Sequence, residues 1–335
     1  MTSHKQASWL EESPRPAKFL AVFFFCLSVM AGQVSTAFAQ FNTPMINGTI
    51  AAGEYGTHTD GNNQQTNSGT VWYMTWDATN LYVGVSGASV TEAAVIYVDG
   101  NPIASINGGT DANGTLVGQN YDGTSFAALQ FRADHVSYFK DGYREHRIAN
   151  GSNGWSTETT FSGSYFSNGS NVREYAIPWS NITGGGIPTS FNWFGYVTSS
   201  TGFVYGEMPT ENGGGFIGTA ARESRYFTVS TTTNGGSTKP FSRNSFVFNS
   251  TSDISGFGAI SVYDFTMNSS GRQIFRSTDG STWTIGGNLR VDAGTIHFDN
   301  TTGAATVSGN VVMSSGATLN LGNVIGGDMN VAGNW

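Results

Sequence analysis

Cysteine is nearly absent from this sequence. The single thiol, Cys26, lies inside an apolar run at residues 19–30. Basic residues precede that run and the small-residue sequence Ala37-Phe38-Ala39 follows it, a pattern typical of a cleaved secretory signal. We therefore assign residues 1–39 to a signal peptide, with cleavage near Ala39 and Gln40. The mature chain would have no disulfide, so burial and backbone hydrogen bonds alone must stabilise it.

Charged residues are also scarce, and acidic ones are in excess. The chain has 15 Lys and Arg against 23 Asp and Glu, a net charge of −8. Nucleic acids and anionic membrane surfaces both require clustered basic residues, so composition argues against both partners. No run reaches the ~20 apolar residues of a spanning helix. The sequence predicts a secreted or cell-surface protein, of bacterial type, with no integral membrane segment in the mature chain.

Residues 40–229 contain short apolar runs separated by clusters of Gly, Asn, Ser and Thr. One run places Trp72, Met74 and Trp76 on the same face, and a second run begins at Leu81 after a four-residue turn. No stretch of ten residues has the helical period. Many short strands with Gly-rich turns predict an antiparallel β-sandwich of two sheets. Similar runs occur at residues 93–98, 136–139, 172–177 and 191–198.

The pattern changes after residue 229. Residues 230–240 are polar and Gly-rich, and we interpret them as a linker. In residues 241–335 one phrase recurs, with 22 residues from Leu289 to Val311 and 18 from Val311 to Met329. Such a period predicts rungs of a parallel β-solenoid. The chain ends on Gly-Asn-Trp, which would open another rung, so we expect a further C-terminal region.

Three motifs of the first segment occur in an order that resembles a known group of β-sandwiches. That group contains the family-nine carbohydrate-binding modules and the DOMON-like domains. Followed by solenoid rungs, the arrangement also resembles large exported Bacteroidetes surface proteins. The resemblance implies a sandwich that holds sugar against tryptophan faces, often with a structural calcium ion nearby. The motifs are Ile46-Asn47-Gly48-Thr49-Ile50 with Glu54-Tyr55, Trp76-Asp77-x-Thr79-Asn80-Leu81-Tyr82-Val83, and Arg173-Glu174-Tyr175-Ala176-Ile177-Pro178-Trp179.

Sugar binding needs a flat aromatic face together with polar groups that bind hydroxyls. Trp155 is the strongest candidate because Gly154 and Ser156 flank it in a polar loop. Trp72 and Trp76 are further candidates, although both alternate like core residues. The charged cluster at residues 140–147 has two interpretations: a recognition edge or a solvated hairpin turn with cross-strand ion pairs. Its candidate binding residues are Tyr143, Arg144 and Glu145.

The sequence indicates no certain cofactor. Asp99, Asn101 and Asp111 offer oxygen ligands in a Gly-rich loop that could hold a structural calcium ion. Asp and Asn also fill turns for backbone reasons, which is the alternative interpretation. The histidines lack zinc-site spacing, and no nucleophile elbow or phosphate loop occurs. We therefore predict no catalytic residue and do not expect an enzyme.

The predicted function is non-catalytic binding or adhesion, with a polysaccharide or surface glycan recognised by the sandwich. One alternative is a structural surface protein whose sandwich caps a solenoid stalk. A second alternative is an accessory region of a polysaccharide-degrading enzyme. Exposed coplanar aromatic residues at one end of the sandwich would favour glycan recognition. Burial of all tryptophans would favour the structural surface protein.

Overall fold

The computed structural model describes residues 42–101, 114–160, 162–168, 170–218, 221–231, 239–298, 303–321 and 329–335. The predicted signal peptide and Asp111 lie outside these residues. Where the chain is described, β-strands dominate and the one helix, α1, spans Trp179–Thr183. Within this part no helix has the length and apolarity needed to cross a membrane. The predicted fold class, an antiparallel β-sandwich followed by a parallel β-solenoid, is confirmed.

The first sheet of the sandwich is antiparallel and contains the predicted hairpin. Trp76 pairs with Leu81, and the Asp77 carboxylate accepts hydrogen bonds from the amides of Thr79 and Asn80 at 2.7 and 2.8 Å. Asp77 thereby fixes the turn and the register of both strands. In spatial order the strands are β1 Gln64–Asn67, β2 Thr70–Trp76, β3 Asn80–Ser86, β10 Val172–Pro178 and β9 Tyr165–Asn168.

The second sheet contains the remaining predicted strands of the sandwich. Its central strand, β4 (Ala93–Asp99), is buried along its whole length, because the sandwich core covers one face of the sheet and the segment 114–134 covers the other. A short parallel pair, β5 Phe126–Ala128 with β14 Ala221–Arg222, lies apart from it. The strands of the second sheet within the sandwich are β4 Ala93–Asp99, β6 His135–Lys140, β7 Tyr143–Ile148, β8 Thr159–Thr160, β11 Ser190–Thr198, β12 Phe203–Met208, β13 Gly215–Phe216 and β15 Arg225–Ser230.

The solenoid has three faces, each a ladder of short parallel strands around one apolar core. The first face holds β16 Asn244–Phe248, the start of β19 Phe265–Arg276, the start of β21 Leu289–His297, and β23 Val311–Met313. The second holds β17 Ile254–Phe257, the ends of β19 and β21, and β24 Thr318–Asn320. The third holds β18 Ile260–Val262, β20 Trp283–Ile285, β22 Ala305–Val307 and β25 Met329–Val331.

One of the two predicted rung spacings is correct. Leu289 pairs with Val311, as the 22-residue spacing predicts. The 18-residue spacing is wrong, because Met329 pairs with Ala305 on the third face of the solenoid. The partner of the Gly309 corner is instead Gly333, whose amide donates to the Gly309 carbonyl at 3.1 Å. Gly333 and Asn334 therefore occupy the same corner as Gly309 and Asn310.

One Asp and two Asn side chains, those of Asp264, Asn288 and Asn310, form a hydrogen-bonded ladder along this corner. The backbone amide of Asn288 donates to Asp264 Oδ1 at 2.6 Å, and the backbone amide of Asn310 donates to Asn288 Oδ1 at 3.0 Å. Asn334 repeats the contact with Asn310 Oδ1 at 2.9 Å. Each side chain satisfies a backbone donor of the following rung, and this explains the recurrent Gly-Asn phrase.

The sandwich and the solenoid share one continuous sheet. Strand β15 pairs with β16 in antiparallel orientation, and β16 pairs in parallel with β19 of the solenoid. The amide of Val247 donates to the Ser224 carbonyl at 2.8 Å, while the amide of Phe246 donates to the Asp264 carbonyl at 2.9 Å. The Arg225 guanidinium lies 4.7 Å from the centre of the Phe246 ring. Strand β16 therefore belongs to both parts of the molecule.

Candidate functional site

The predicted sugar platforms Trp72 and Trp76 lie in the sandwich core. Both are fully buried, and the Trp72 indole donates to the Gly206 carbonyl at 2.9 Å. The Trp76 ring makes an edge contact with Phe191, with ring centres 5.7 Å apart. Neither ring offers a face to a ligand, because protein atoms cover both. Two further tryptophans, Trp179 and Trp193, are buried in the same core.

Trp155 is placed differently, at the edge of the loop that covers the second sheet. Its ring is half-buried and lies against Tyr97, with ring centres 5.7 Å apart. Its indole donates to the Val117 carbonyl at 2.8 Å. Trp155 therefore anchors the loop and keeps part of its surface accessible, consistent with the expectation that it is the most exposed sandwich tryptophan.

The charged cluster forms the β6–β7 hairpin, with Asp141 at a φ of 47° in its turn. Glu145 is buried, and both of its carboxylate oxygens are engaged: Tyr143 donates at 2.5 Å and Arg147 at 3.0 Å. The Arg144 guanidinium lies 5.5 Å from the Tyr165 ring centre. The hairpin therefore exposes Tyr143 and Arg144, while the Glu145 carboxylate is occupied by its neighbours.

The candidate calcium ligands are only partly described. Asp99 is buried, with Oδ1 accepting the Asn101 amide at 3.1 Å and Oδ2 accepting the Asn192 side chain at 3.2 Å. Asp111 lies outside the described residues. Within those residues no three His, Cys, Asp or Glu side chains come together as a metal site. Asp99 thus has a turn-stabilising role in the structure described.

Glu174 joins two of the motifs on which the family resemblance depends. Its Oε2 accepts the amides of Asn47, Gly48 and Thr49 at 3.2, 2.7 and 3.1 Å, and Tyr55 donates to Oε1 at 3.0 Å. Burial raises the pKa of Glu174, and the hydrogen bonds from the Asn47 and Gly48 amides and from Tyr55 partly offset that rise. The co-occurrence of the motifs therefore has a folding explanation, since one carboxylate holds the N-terminal segment against the first sheet.

A pair of exposed phenylalanines lies on the β12–β13 hairpin. Phe203 and Phe216 are paired in the ladder, their ring centres are 5.2 Å apart, and they are 42% and 74% exposed. Neither was among the predicted site residues. One sequence signal could have identified Phe216: it follows Gly213-Gly214-Gly215, a segment with no side chain to cover it.

A cleft of about 630 Å³ opens beside this hairpin, and we call it the β12–β13 cleft. Its walls combine an aromatic ring, hydroxyl groups, a side-chain amide and a carboxyl group. Such a mixture of an apolar face with a few polar groups is typical of sites for small polar ligands. The residues that form it are Asn67, Ser68, Phe203, Val204, Tyr205, Glu207, Thr210, Asn212, Gly214 and Gly215.

No protein-family model matches the chain, and a search of curated proteins gave no match. The resemblance to family-nine and DOMON-like modules therefore remains a prediction made from sequence motifs. Fold class alone does not determine function, because one sandwich architecture serves many functions.

Proposed function

We propose that this protein is a non-catalytic structural protein of the cell exterior, in which the β-sandwich caps the N-terminal end of a solenoid stalk. One observation carries the proposal: β16 is the first strand of a solenoid face and also a strand of the sandwich sheet. The burial of four sandwich tryptophans, Trp72, Trp76, Trp179 and Trp193, supports the same function.

A solenoid needs a cap because the first rung otherwise exposes unpaired backbone groups and an apolar core. Here β15 hydrogen-bonds to the outer edge of β16, so the backbone groups along that edge are paired. The sandwich therefore supplies the backbone partners that the first strand of this solenoid face requires.

We predict that Val247→Pro uncouples the cap from the solenoid. Proline removes the amide that donates to the Ser224 carbonyl, and so it breaks a hydrogen bond of the ladder between β15 and β16. Val247→Ala, which keeps that amide, is the matched control for lost packing at this fully buried position. Hydrogen exchange should show faster exchange in β19 and β21 for the proline variant than for the alanine variant. Equal exchange in both variants would contradict a capping role.

A second candidate function is recognition of a polysaccharide by the sandwich, without catalysis. The exposed Phe203 and Phe216 beside a polar cleft favour it, because aromatic faces stack on the C–H surface of sugars. The test is binding of the mature chain to an array of plant, algal and host polysaccharides. Repeating it with calcium and with chelator tests the structural calcium ion predicted for Asp99, Asn101 and Asp111.

A further inference from the structure

We propose that the β12–β13 cleft binds a neutral pyranose ring of a polysaccharide. The inference rests on the second candidate function, polysaccharide recognition, and gives it a site and a ligand class. Three features of the cleft carry the argument: an exposed aromatic pair, a buried carboxylate oxygen without a partner, and a backbone-only wall beside that oxygen.

The aromatic pair supplies the apolar part of the site. Phe203 lines the cleft and meets the ring of Phe216 at an angle of 77°. Tyr205 also lines the cleft, but its hydroxyl is already donated to Glu92. The aromatic surface therefore presents C–H and π groups rather than a free phenol. This surface suits the C–H face of a sugar ring.

The carboxyl group of Glu207 supplies the polar part of the site. The residue is only 6% exposed, and its Oε2 accepts the Asn67 side chain at 3.1 Å. Its Oε1 is buried and has no hydrogen-bond partner among the described residues. Leaving such an oxygen unpaired is unfavourable, so a ligand that donates a hydrogen bond there would recover that cost. A sugar hydroxyl is such a donor.

Glycine keeps the wall beside this oxygen free of side chains. A Cβ at Gly214 would overlap Glu207 Oε1 and crowd the carbonyl oxygen of Val204 at 2.9 Å. Gly215 adopts a φ of +105°, a conformation that L side chains rarely adopt. The chain therefore passes over the carboxylate as backbone alone.

The surrounding charges favour a neutral ligand. Among the described residues no Lys or Arg lines the cleft. A second carboxylate is close by, since the Thr210 hydroxyl donates to Glu211 Oε2 at 3.3 Å. A uronate or sulfate group would meet like charge here, which is unfavourable at short range. The side chains of Asn67, Ser68 and Thr210 are neutral donors and acceptors, which match hydroxyl groups rather than a single ammonium group.

Calorimetric titration of the mature full chain tests the proposal. The probes are the neutral polysaccharides xyloglucan, arabinoxylan, mannan and mixed-linkage glucan. Anionic alginate and cationic chitosan are the charged comparisons. We expect binding to at least one neutral probe, weakened about tenfold by Phe216→Ala and by Glu207→Gln. Phe166→Ala is the matched control, because Phe166 is 41% exposed on β9 of the other sheet. It should bind like the unmodified protein.

The outcomes separate the site from the function. Binding to neutral probes that Phe216→Ala and Glu207→Gln leave unchanged would overturn this site while polysaccharide recognition stands. Binding confined to alginate or chitosan would overturn the neutral ligand class. Absence of binding to every probe would overturn both the site and the second candidate function. Phe216 is largely exposed, so its variant should fold, and an unchanged urea midpoint would verify this.

Discussion

Replacing Arg173 with alanine is expected to lower the free energy of unfolding by ~4 kcal/mol, one of the largest effects of any single substitution in the sandwich. Arg173 lies on β10 and is fully buried. Its guanidinium donates to the Ser89 carbonyl at 2.9 Å and to the Glu92 carbonyl. It also reaches the Phe139 carbonyl of the opposite sheet at 3.4 Å.

The size of the effect follows from what the substitution leaves behind. Alanine removes a long side chain from the space between the two sheets, and it also removes the guanidinium donors from the carbonyl oxygens of Ala88, Ser89 and Glu92. Burial lowers the pKa of Arg173, which shows that its charge is held away from solvent. The carbonyl dipoles around the guanidinium offset that desolvation.

Urea unfolding measured by tryptophan fluorescence checks the prediction. Arg144→Ala is the matched control, because Arg144 is an exposed arginine whose described contact is with the Tyr165 ring, and it should cost less than ~0.5 kcal/mol. The cost of Arg173→Lys in unfolding free energy should lie between those of Arg173→Ala and Arg144→Ala, since an ammonium group cannot reach carbonyls on both sides at once. A cost for Arg173→Ala no larger than for Arg144→Ala would refute the structural role.

The strands of the sandwich could be predicted because burial imposes a period of two on them. In β2 the positions of Trp72, Met74 and Trp76 are all buried, and Asp77 with its following residues has the composition of a turn. Strand β4 shows the limit of that pattern. All of its residues are buried, because the 114–134 segment packs on the second face of the sheet. The sequence of β4 alone does not show what covers that face.

The solenoid register could be predicted only where the corner motif repeats. Asn288 and Asn310 occupy the same corner on successive rungs, so their 22-residue spacing is a true period. The similar phrase at Met329 lies on another face, where β25 pairs with β22. Loops between faces vary in length, so a similar strand sequence can recur on a different face of the solenoid. The side-chain ladder through Asn334 distinguishes the two cases, since its contacts need equivalent corners.

The candidate site was harder to predict than the fold because exposure depends on distant partners. Trp72 looks like a sugar platform in sequence, yet its indole is satisfied by Gly206, 134 residues away. Phe203 and Phe216 look like ordinary strand residues, yet their hairpin extends beyond the covered part of the sheet. An aromatic residue binds a ligand only if no other segment packs on it, and that is a property of tertiary structure.

The stability of the folded protein is expected to fall as pH rises from 6.5 to 8.5, and Glu223 is the cause. Glu223 is buried next to β14, and burial, followed by the negative charge of Glu207, raises its pKa to about 8 from an ordinary value near 4.5. Between these two values the folded state keeps a proton that the unfolded state has released. Its stabilising contribution is therefore complete below pH ~4.5 and is lost as pH rises through ~8.

Buried His135 has the opposite effect at lower pH. Its pKa is lowered to about 3 by burial and by His146, so it stabilises the fold increasingly as pH rises from ~3 to ~6.5. Above pH 6.5 this contribution is constant, and the loss due to Glu223 remains. For a single group with these pKa values the loss between pH 6.5 and 8.5 is ~2 kcal/mol.

Urea unfolding at pH 6.5, 7.5 and 8.5 measures this loss, and Glu223→Gln is the decisive variant. Glutamine keeps the shape and hydrogen-bonding capacity of the protonated acid, so its midpoint should be nearly constant over this range and should exceed that of the unmodified protein at pH 8.5. Glu207→Gln should reduce the slope only partly, because it removes the neighbouring charge and leaves burial in place. A slope that survives in Glu223→Gln would assign the titration to another group.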